Sequence, residues 1–316
     1  MPHIPPEVRG AVITGWGTAL PDKVVTNDDL AKTMDTSDQW IRERTGIERR
    51  HIGGSTASLS IESGQKALTM AGIDPSEIDA LILSTTTPDR TVPATSSRVQ
   101  DQLGLRCGAF DINAACSGFV YGLVTAHGLI AMGARNVLLI GTDTLSRITD
   151  WTDRNTAVLF ADGSGAAVLS AVDGPGQLLA WDLDADGSAE ELLYAEIGGN
   201  LFMDGKEVFR KAVRVMVDSA QKSMAVAGVT ANDIALVVPH QANIRIIKAA
   251  CDRLGVPMER TAVVLQETGN TSSASIPLAL FDATDKKRLN PGDLVLLVGF
   301  GAGMTAASAI IRWDAK

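Results

Sequence analysis

Short apolar runs recur along the chain and alternate with longer stretches whose apolar residues return at helical spacing. Ala11–Thr14, Ala80–Leu83, Phe110–Ile112, Val137–Ile140, Ala166–Ala171, Ile234–Val238, Ala262–Leu265, Leu294–Val298 and Ser308–Arg312 read as strands. Ser58–Ala71, Ser117–Met132, Glu207–Ala227, Ile244–Leu254 and Ser273–Lys287 read as helices. In Glu207–Ala227 the residues Val208, Phe209, Ala212, Val213, Met216 and Ala220 mark one face. Strands that are apolar on both faces need helices on both sides of the sheet, so the pattern predicts an α/β fold.

The pattern also repeats. AGIDPSEIDALILSTTT from Ala71 and AGVTANDIALVVPHQ from Ala227 both run from a helix end through a turn and an acidic step into an apolar strand, 156 residues apart. VLLIG from Val137 and VLLVG from Val295 lie 158 apart. Two matches at nearly one offset predict duplicated halves meeting near Ser164–Ala171, with domains 1–170 and 171–316. No low-complexity linker separates them, so one continuous core is expected.

Composition narrows the class. A chain of 316 residues with 45% apolar and 21% charged residues is long enough to bury a sizeable core without staples. Three cysteines show no framework spacing, which fits free thiols in a reducing, cytoplasmic compartment. The N-terminus lacks the pattern of a secretory signal, and no run approaches a membrane span. A net charge of −9 argues against a general nucleic-acid surface. No His/Cys/Asp cluster has metal-ligand spacing.

Three polar residues stand between a strand and a helix. Cys116, in FDINAACSGFVYGL, follows Phe110–Ile112 and precedes a helix, where unpaired N–H groups and the helix dipole favour a thiolate. His240, in VVPHQANIRIIKAA, follows a strand that Pro239 ends, and Asn243 can cap the next helix. Asn270, in LQETGNTSSASIPLAL, follows the expected strand Ala262–Leu265. Taken singly, each has an ordinary reading: a buried cysteine, a core histidine, a helix cap. Ligands in open α/β sheets collect beyond the C-terminal ends of strands, so the three together point to a site. Cys107 and Cys251 read as structural thiols. VGFGAGMTAASAII places Gly299, Gly301 and Gly303 after a strand, a turn able to present N–H groups to an oxyanion or a phosphate.

AACSG, PHQANIRI, ETGNTSSASIP and GFGAG, in that order, together with TSDQWIRERTGIERR from Thr36 and TDRNTAVLFADGSGAAVL from Thr152, resemble the β-ketoacyl-acyl-carrier-protein synthase III family from about Gly10 to Trp313. The resemblance implies a thiolase fold, two similar five-stranded halves in an αβαβα arrangement. It implies that Cys116 takes an acyl group from acyl-coenzyme A, and that His240 and Asn270 assist decarboxylative condensation with malonyl-acyl-carrier protein. The N–H groups of Cys116 and Ala302 would hold the oxyanion. Thr36, Trp40, Arg44 and Arg154 match contacts to the nucleotide of coenzyme A, and Gly205, Phe209 and Asn243 match the pantetheine channel. Val92 matches a residue that closes the acyl pocket of the partner in a homodimer. Gln241, Ala242, Asn243, Ile244, Arg245 and Lys248 form the expected carrier-protein dock, with Arg210 and Arg214 nearby.

Coenzyme A is then a substrate, and no cofactor, metal, membrane or nucleic acid is expected. Two departures stand out: Ala302 replaces a glycine, where a positive φ would cost about 1 kcal/mol, and Tyr194–Phe202 is short. A Cys-His-Asn set also occurs in papain-like proteases, but AACSG lacks their local signature. Relatives that acylate an oxygen or nitrogen nucleophile, or join two acyl-coenzyme A molecules, stay open, as does a non-catalytic binding role.

Overall fold

A computed structural model describes Ile4 and residues 8–314. Its strands are β1 (Gly10–Ala19), β2 (Val24–Thr26), β3 (Arg49–His51), β4 (Ala80–Ser84), β5 (Gly108–Ile112), β6 (Asn136–Thr144), β7 (Asp162–Val172), β8 (Leu178–Asp184), β9 (Leu193–Ala195), β10 (Leu201–Met203), β11 (Ile234–Pro239), β12 (Leu294–Gly301) and β13 (Thr305–Arg312). One sheet has the order β1-β7-β6-β4-β5 and a second has β11-β12-β13-β8. Reversed, the second order repeats the first. In both sheets an antiparallel pair at one end (β1/β7, β8/β13) joins antiparallel to a strand (β6, β12) that pairs parallel with the next (β4, β11). The strands found by sequence repetition, β4 with β11 and β6 with β12, occupy equivalent places.

The side-chain alternation of the strands sorts the core into layers. Ile82, Leu139, Leu236 and Val238 face a central layer formed by the helices Gly118–Ala131 and Ser275–Asp285, through Phe119, Leu123, Ile276 and Leu280. Leu81, Leu83, Leu138 and Ile140 face outward onto the helices Thr56–Ala71 and Thr95–Gln102. Val237, Leu296 and Val298 face the helices Gly205–Ala227 and Ile244–Leu254. Burial of each such side chain stabilises the fold by about 1.5–3 kcal/mol before chain entropy is counted. The result is the expected layered αβαβα arrangement.

Three expectations change. Ala262–Leu265 is not a strand. The segment touches β11 through one bridge, Thr261 to Val237, and Leu265–Thr268 turns into a short helix. The second sheet therefore has four strands, not five. The side chain of Gln241 explains this: its Oε1 accepts the N–H groups of Val264 and Leu265 at 2.9 and 3.3 Å, satisfying donors that a ladder would otherwise use. The expected boundary at 170 falls inside β7, because pairing with β1 continues to Val172 opposite Gly10. Strand β8 carries no unbroken apolar run, because its residues alternate between buried and partly exposed.

Candidate active site

Cys116 lies in a single helical turn, Ala115–Ser117, at the head of the helix Gly118–Ala131. Ala115 has φ 47°, a conformation that costs an L-residue about 1–2 kcal/mol. Its N–H donates to Asn113 Oδ1 at 3.1 Å, and Thr305 Oγ1 donates to Ala114 O at 3.0 Å. The strained turn is thus held by both halves of the chain.

The glycine loop meets it. A Cβ on Gly301 would lie 2.6 Å from the backbone nitrogen of Cys116, so only glycine lets the two backbones approach. In this loop the positive φ values fall on Gly303 (67°) and Met304 (44°). Ala302 avoids that region, so the strain anticipated for it does not arise.

The Cys116 thiol departs from expectation. Burial pushes it up to about 12, and the charge of Asp143 adds to the rise, against a hydrogen bond with Ser272 and the residue's own N–H. The helix N-terminus acts in the lowering direction, but burial dominates, and the resting side chain is a thiol.

His240 follows Pro239 at the end of β11 and is 1% exposed. Burial lowers its pKa to about 3, so the ring is neutral. Its Nδ1 lies 2.7 Å from Ser275 Oγ. With the Ser275 hydroxyl donating there, Nε2 carries the ring proton. Phe300 packs edge-on, with ring centroids 5.4 Å apart.

Asn270 is fixed through its backbone: its N–H donates to Leu159 O and its carbonyl accepts from Ala161 N–H, both at 2.9 Å. Its Oδ1 accepts the Ser272 N–H at 3.0 Å, leaving the amide NH₂ to donate elsewhere. Ser272 and Ser275 were not singled out in the sequence, although both lie within the ETGNTSSASIP motif.

These residues meet in one passage. A narrow cavity of about 80 Å³ is lined by Cys116, His240, Asn270, Phe300, Gly205, Phe209 and Asn243, among others. Inward, a chamber of about 410 Å³ continues past Cys116 to Ala302, Leu145, Ile148, Glu190, Tyr194 and Leu201. Outward, a cleft of about 600 Å³ shares Gly205, Phe209 and Asn243 with the neck and opens at Trp40, Arg44 and Arg245. At this mouth the guanidinium groups of Arg44 and Arg154 lie 4.6 and 4.8 Å from the Trp40 ring centroid, a cation–π cluster. The Thr36 hydroxyl, four residues before Trp40, is buried and has no hydrogen-bond partner among the described residues.

Other expected residues fall elsewhere. Gln241 is 0% exposed and spends its amide NH₂ on Pro239 O and Ala262 O. Its side chain cannot contact a docking protein. Ala242 is also buried and lines the neck instead. Of the expected dock, Arg245 and Lys248 are the exposed cations. Arg210 and Arg214 are engaged by Glu207 and Asp218 of their own helix, at 2.6 and 3.5 Å. Val92 is 79% exposed and lines neither cavity that contains Cys116. Among the described residues no group of three or more His, Cys, Asp or Glu side chains could hold a metal ion, and no helix is long and apolar enough to cross a membrane.

Paired α/β sheets around a central helix layer, with a half-buried cysteine at the head of one central helix, define a thiolase-fold acyltransferase. The family described as 3-oxoacyl-[acyl-carrier-protein] synthase III matches residues 110–187, and its C-terminal part matches residues 224–313. The chain is 49% identical to the β-ketoacyl-[acyl-carrier-protein] synthase III of Roseiflexus castenholzii, over 96% of this chain and 98% of that one. It is 46% identical to β-ketoacyl-[acyl-carrier-protein] synthase III 1 of Bacillus anthracis, over 95% and 98%. The crystal structure of 3-oxoacyl-[acyl-carrier-protein] synthase III from Aquifex aeolicus superposes with a TM-score of 0.94 at 44% identity, covering 96% of this chain and 100% of that one. The chain belongs to the 3-oxoacyl-[acyl-carrier-protein] synthase III family.

Proposed function

We propose that this enzyme loads an acyl group from acyl-coenzyme A onto Cys116 and condenses it with malonyl-acyl-carrier protein, the step that initiates fatty acid or related polyketide synthesis. The observation that carries the reading is the convergence of Cys116, His240 and Asn270 on one narrow cavity, with a cationic aromatic mouth on one side and a mostly apolar chamber on the other.

In the first half-reaction the Cys116 sulfur attacks the thioester carbonyl. A bond from sulfur to the acyl carbon forms, the bond to the coenzyme A sulfur breaks, and the thiol proton leaves with coenzyme A as its free thiol. Trp40, Arg44 and Arg154 receive the nucleotide end, Thr36 lies beside them, and Gly205, Phe209 and Asn243 line the path of the pantetheine arm. In the second half-reaction the bond between the malonyl carboxylate and its α-carbon breaks, carbon dioxide leaves, and the electron pair moves to the thioester oxygen. The Nε2–H of His240 and the NH₂ of Asn270 donate to that oxygen. Both are neutral, so they stabilise the enolate without quenching it by proton transfer. The enolate carbon then attacks the acyl-cysteine carbonyl. The N–H groups of Cys116 and Ala302 hold the new oxyanion; its collapse breaks the bond to the Cys116 sulfur, releases a 3-oxoacyl carrier protein, and leaves a thiolate that takes a proton from solvent to restore the thiol.

We further assign the chain to a cytoplasmic homodimer of two-half subunits that needs neither metal nor cofactor. Intact-mass spectrometry after incubation with acyl-coenzyme A tests the first half-reaction: one acyl mass on the peptide containing Cys116 is expected, and modification confined to Cys107 or Cys251 overturns the assignment. His240→Ala and Asn270→Ala should still accept the acyl group while decarboxylating malonyl thioester about 100- to 1000-fold more slowly. Normal carbon dioxide release in both variants would remove them from the mechanism.

A further inference from the structure

Asp143, near the end of β6, is 0% exposed, and among the described residues its carboxylate accepts hydrogen bonds from neutral donors alone. Oδ1 accepts from Thr85 Oγ1 (3.1 Å), Thr86 N–H (2.7 Å), Thr86 Oγ1 (2.9 Å), Thr87 N–H (3.2 Å) and Thr87 Oγ1 (3.0 Å). Oδ2 accepts from Ser273 N–H (3.1 Å) and Ser273 Oγ (2.8 Å). A buried charge without a counter-ion is tolerated only when donors surround it, and it is costly where core packing alone is needed. The two oxygens hold different parts of the molecule. One fastens the turn after β4, whose Thr86 lines the chamber beyond Cys116. The other fastens Ser273, in the segment that carries Asn270, the Cys116 partner Ser272 and the His240 partner Ser275.

We propose that Asp143 is a positioning residue for the condensation. Its carboxylate locks the segment from Asn270 to Ser275 against the first sheet, so that the two enolate donors and the nucleophile keep one geometry. This rests on the reading of Cys116, His240 and Asn270 given above. Misplacing a reacting group by about 1 Å costs on the order of a hundredfold in rate. Asparagine at 143 keeps the shape but replaces one acceptor oxygen by an NH₂, which opposes donors on whichever side it faces. It also removes the negative charge that helps keep the Cys116 thiol protonated. The other titratable groups near this site are Asp162, raised by burial and in part by the Asp143 charge, Arg147, which donates to Thr87 O and Thr144 Oγ1, His240 in the neck and Glu190 on the chamber wall.

The experiment compares wild type, Asp143→Asn and Ser273→Ala as full-length proteins. Asp143→Asn should lower kcat for carbon dioxide release on the order of a hundredfold, with KM for acyl-coenzyme A little changed. The pH required for a given rate of Cys116 alkylation by iodoacetamide should fall. Ser273→Ala keeps the charge but removes the hydroxyl that Asp143 Oδ2 and Ser84 O share; its kcat should fall about tenfold, as expected for about 1.4 kcal/mol of lost hydrogen bonding, and its alkylation profile should stay in place. Wild-type kcat in Ser273→Ala overturns the proposal even if Asp143→Asn does not fold. So does an unmoved alkylation profile in a folded Asp143→Asn, or an equal movement in both variants. Failure of the underlying reading would appear separately, as wild-type enzyme that is not acylated on Cys116.

Discussion

His240 and His127 carry the same physics to different ends. His240 is buried and His127 half-buried, and both rings are neutral, with pKa values lowered by burial to about 3 and about 4 from an ordinary 6.5. His240 has Ser275 to fix its tautomer and a cavity to serve. The Nε2 of His127, in the central helix Gly118–Ala131, has no hydrogen-bond partner among the described residues. In each case the unfolded chain binds a proton that the folded chain refuses, so the stability is fully present above pH 6.5 and is lost as pH falls toward the folded values. Thermal melting should therefore show a falling Tm from pH 6.5 to 4. His127→Leu, which removes one titrating group and an unpaired nitrogen, should flatten that fall. An identical slope in wild type and variant would count against burial as its cause. Cys116 shifts the opposite way: its raised value gives stability below the ordinary thiol range that is lost toward pH 12.

At the scale of elements, the helix Ile244–Leu254 has two jobs set by its faces. Ile246, Ile247, Ala250 and Leu254 are buried, while Arg245 and Lys248 share the opposite face three residues apart. Asn243 caps the helix by accepting the Arg245 N–H at 2.8 Å, which places the cap in the neck and the cations at its mouth. Arg245 also lies over Phe209, 5.6 Å from the ring centroid. An acidic carrier protein approaching this face would meet unneutralised charge here rather than at Arg210 and Arg214. Arg245→Glu combined with Lys248→Glu should raise KM for malonyl-carrier protein at least tenfold, taking about 1.4 kcal/mol or more from electrostatic contacts at the dock. Arg245 also lines the coenzyme A cleft, so the control is Lys248→Glu alone, which should weaken use of malonyl-carrier protein while leaving acylation by acyl-coenzyme A nearly unchanged. Equal loss in both half-reactions would place the dock elsewhere.

At the scale of the molecule, β5 forms an edge of the first sheet that is unpaired among the described residues, with Phe110 partly exposed on it, and Val92 stands clear of its own chain's chamber. An exposed edge strand pairs readily with a copy of itself about a two-fold axis, which fits the proposed homodimer with Val92 reaching the partner's chamber. Light scattering should give the mass of two chains. If Val92 closes that chamber, acylation should favour branched or medium-chain groups over acetyl by a graded margin, because each buried methylene contributes about 0.8 kcal/mol. Val92→Phe should move the preference toward acetyl. A monomer, or a profile unchanged by Val92→Phe, would remove this role. The hairpin of β9 and β10, with Tyr194 and Phe202 in ring contact at 5.4 Å, forms another chamber wall.

Much of this was written along the chain. Apolar periodicity located both sheets' central strands and the helices that cover them, because a strand buried on both faces has no choice but to be apolar. The repeat at nearly one offset marked β4 with β11 and β6 with β12, and the ordered motifs marked Cys116, His240, Asn270 and the glycine loop. Apolarity reports burial, however, and not hydrogen-bond pairing. Ala262–Leu265 is apolar because it is covered, yet the Gln241 amide takes the N–H groups a strand would have used. The same amide, a plausible surface contact in the sequence, is locked inside. Only the tertiary structure set the protonation of Cys116, because desolvation by distant segments outweighs the local helix N-terminus. Only the tertiary structure brought Asp143 to Ser273, residues 130 apart, since a buried charge is defined by the donors that folding gathers around it.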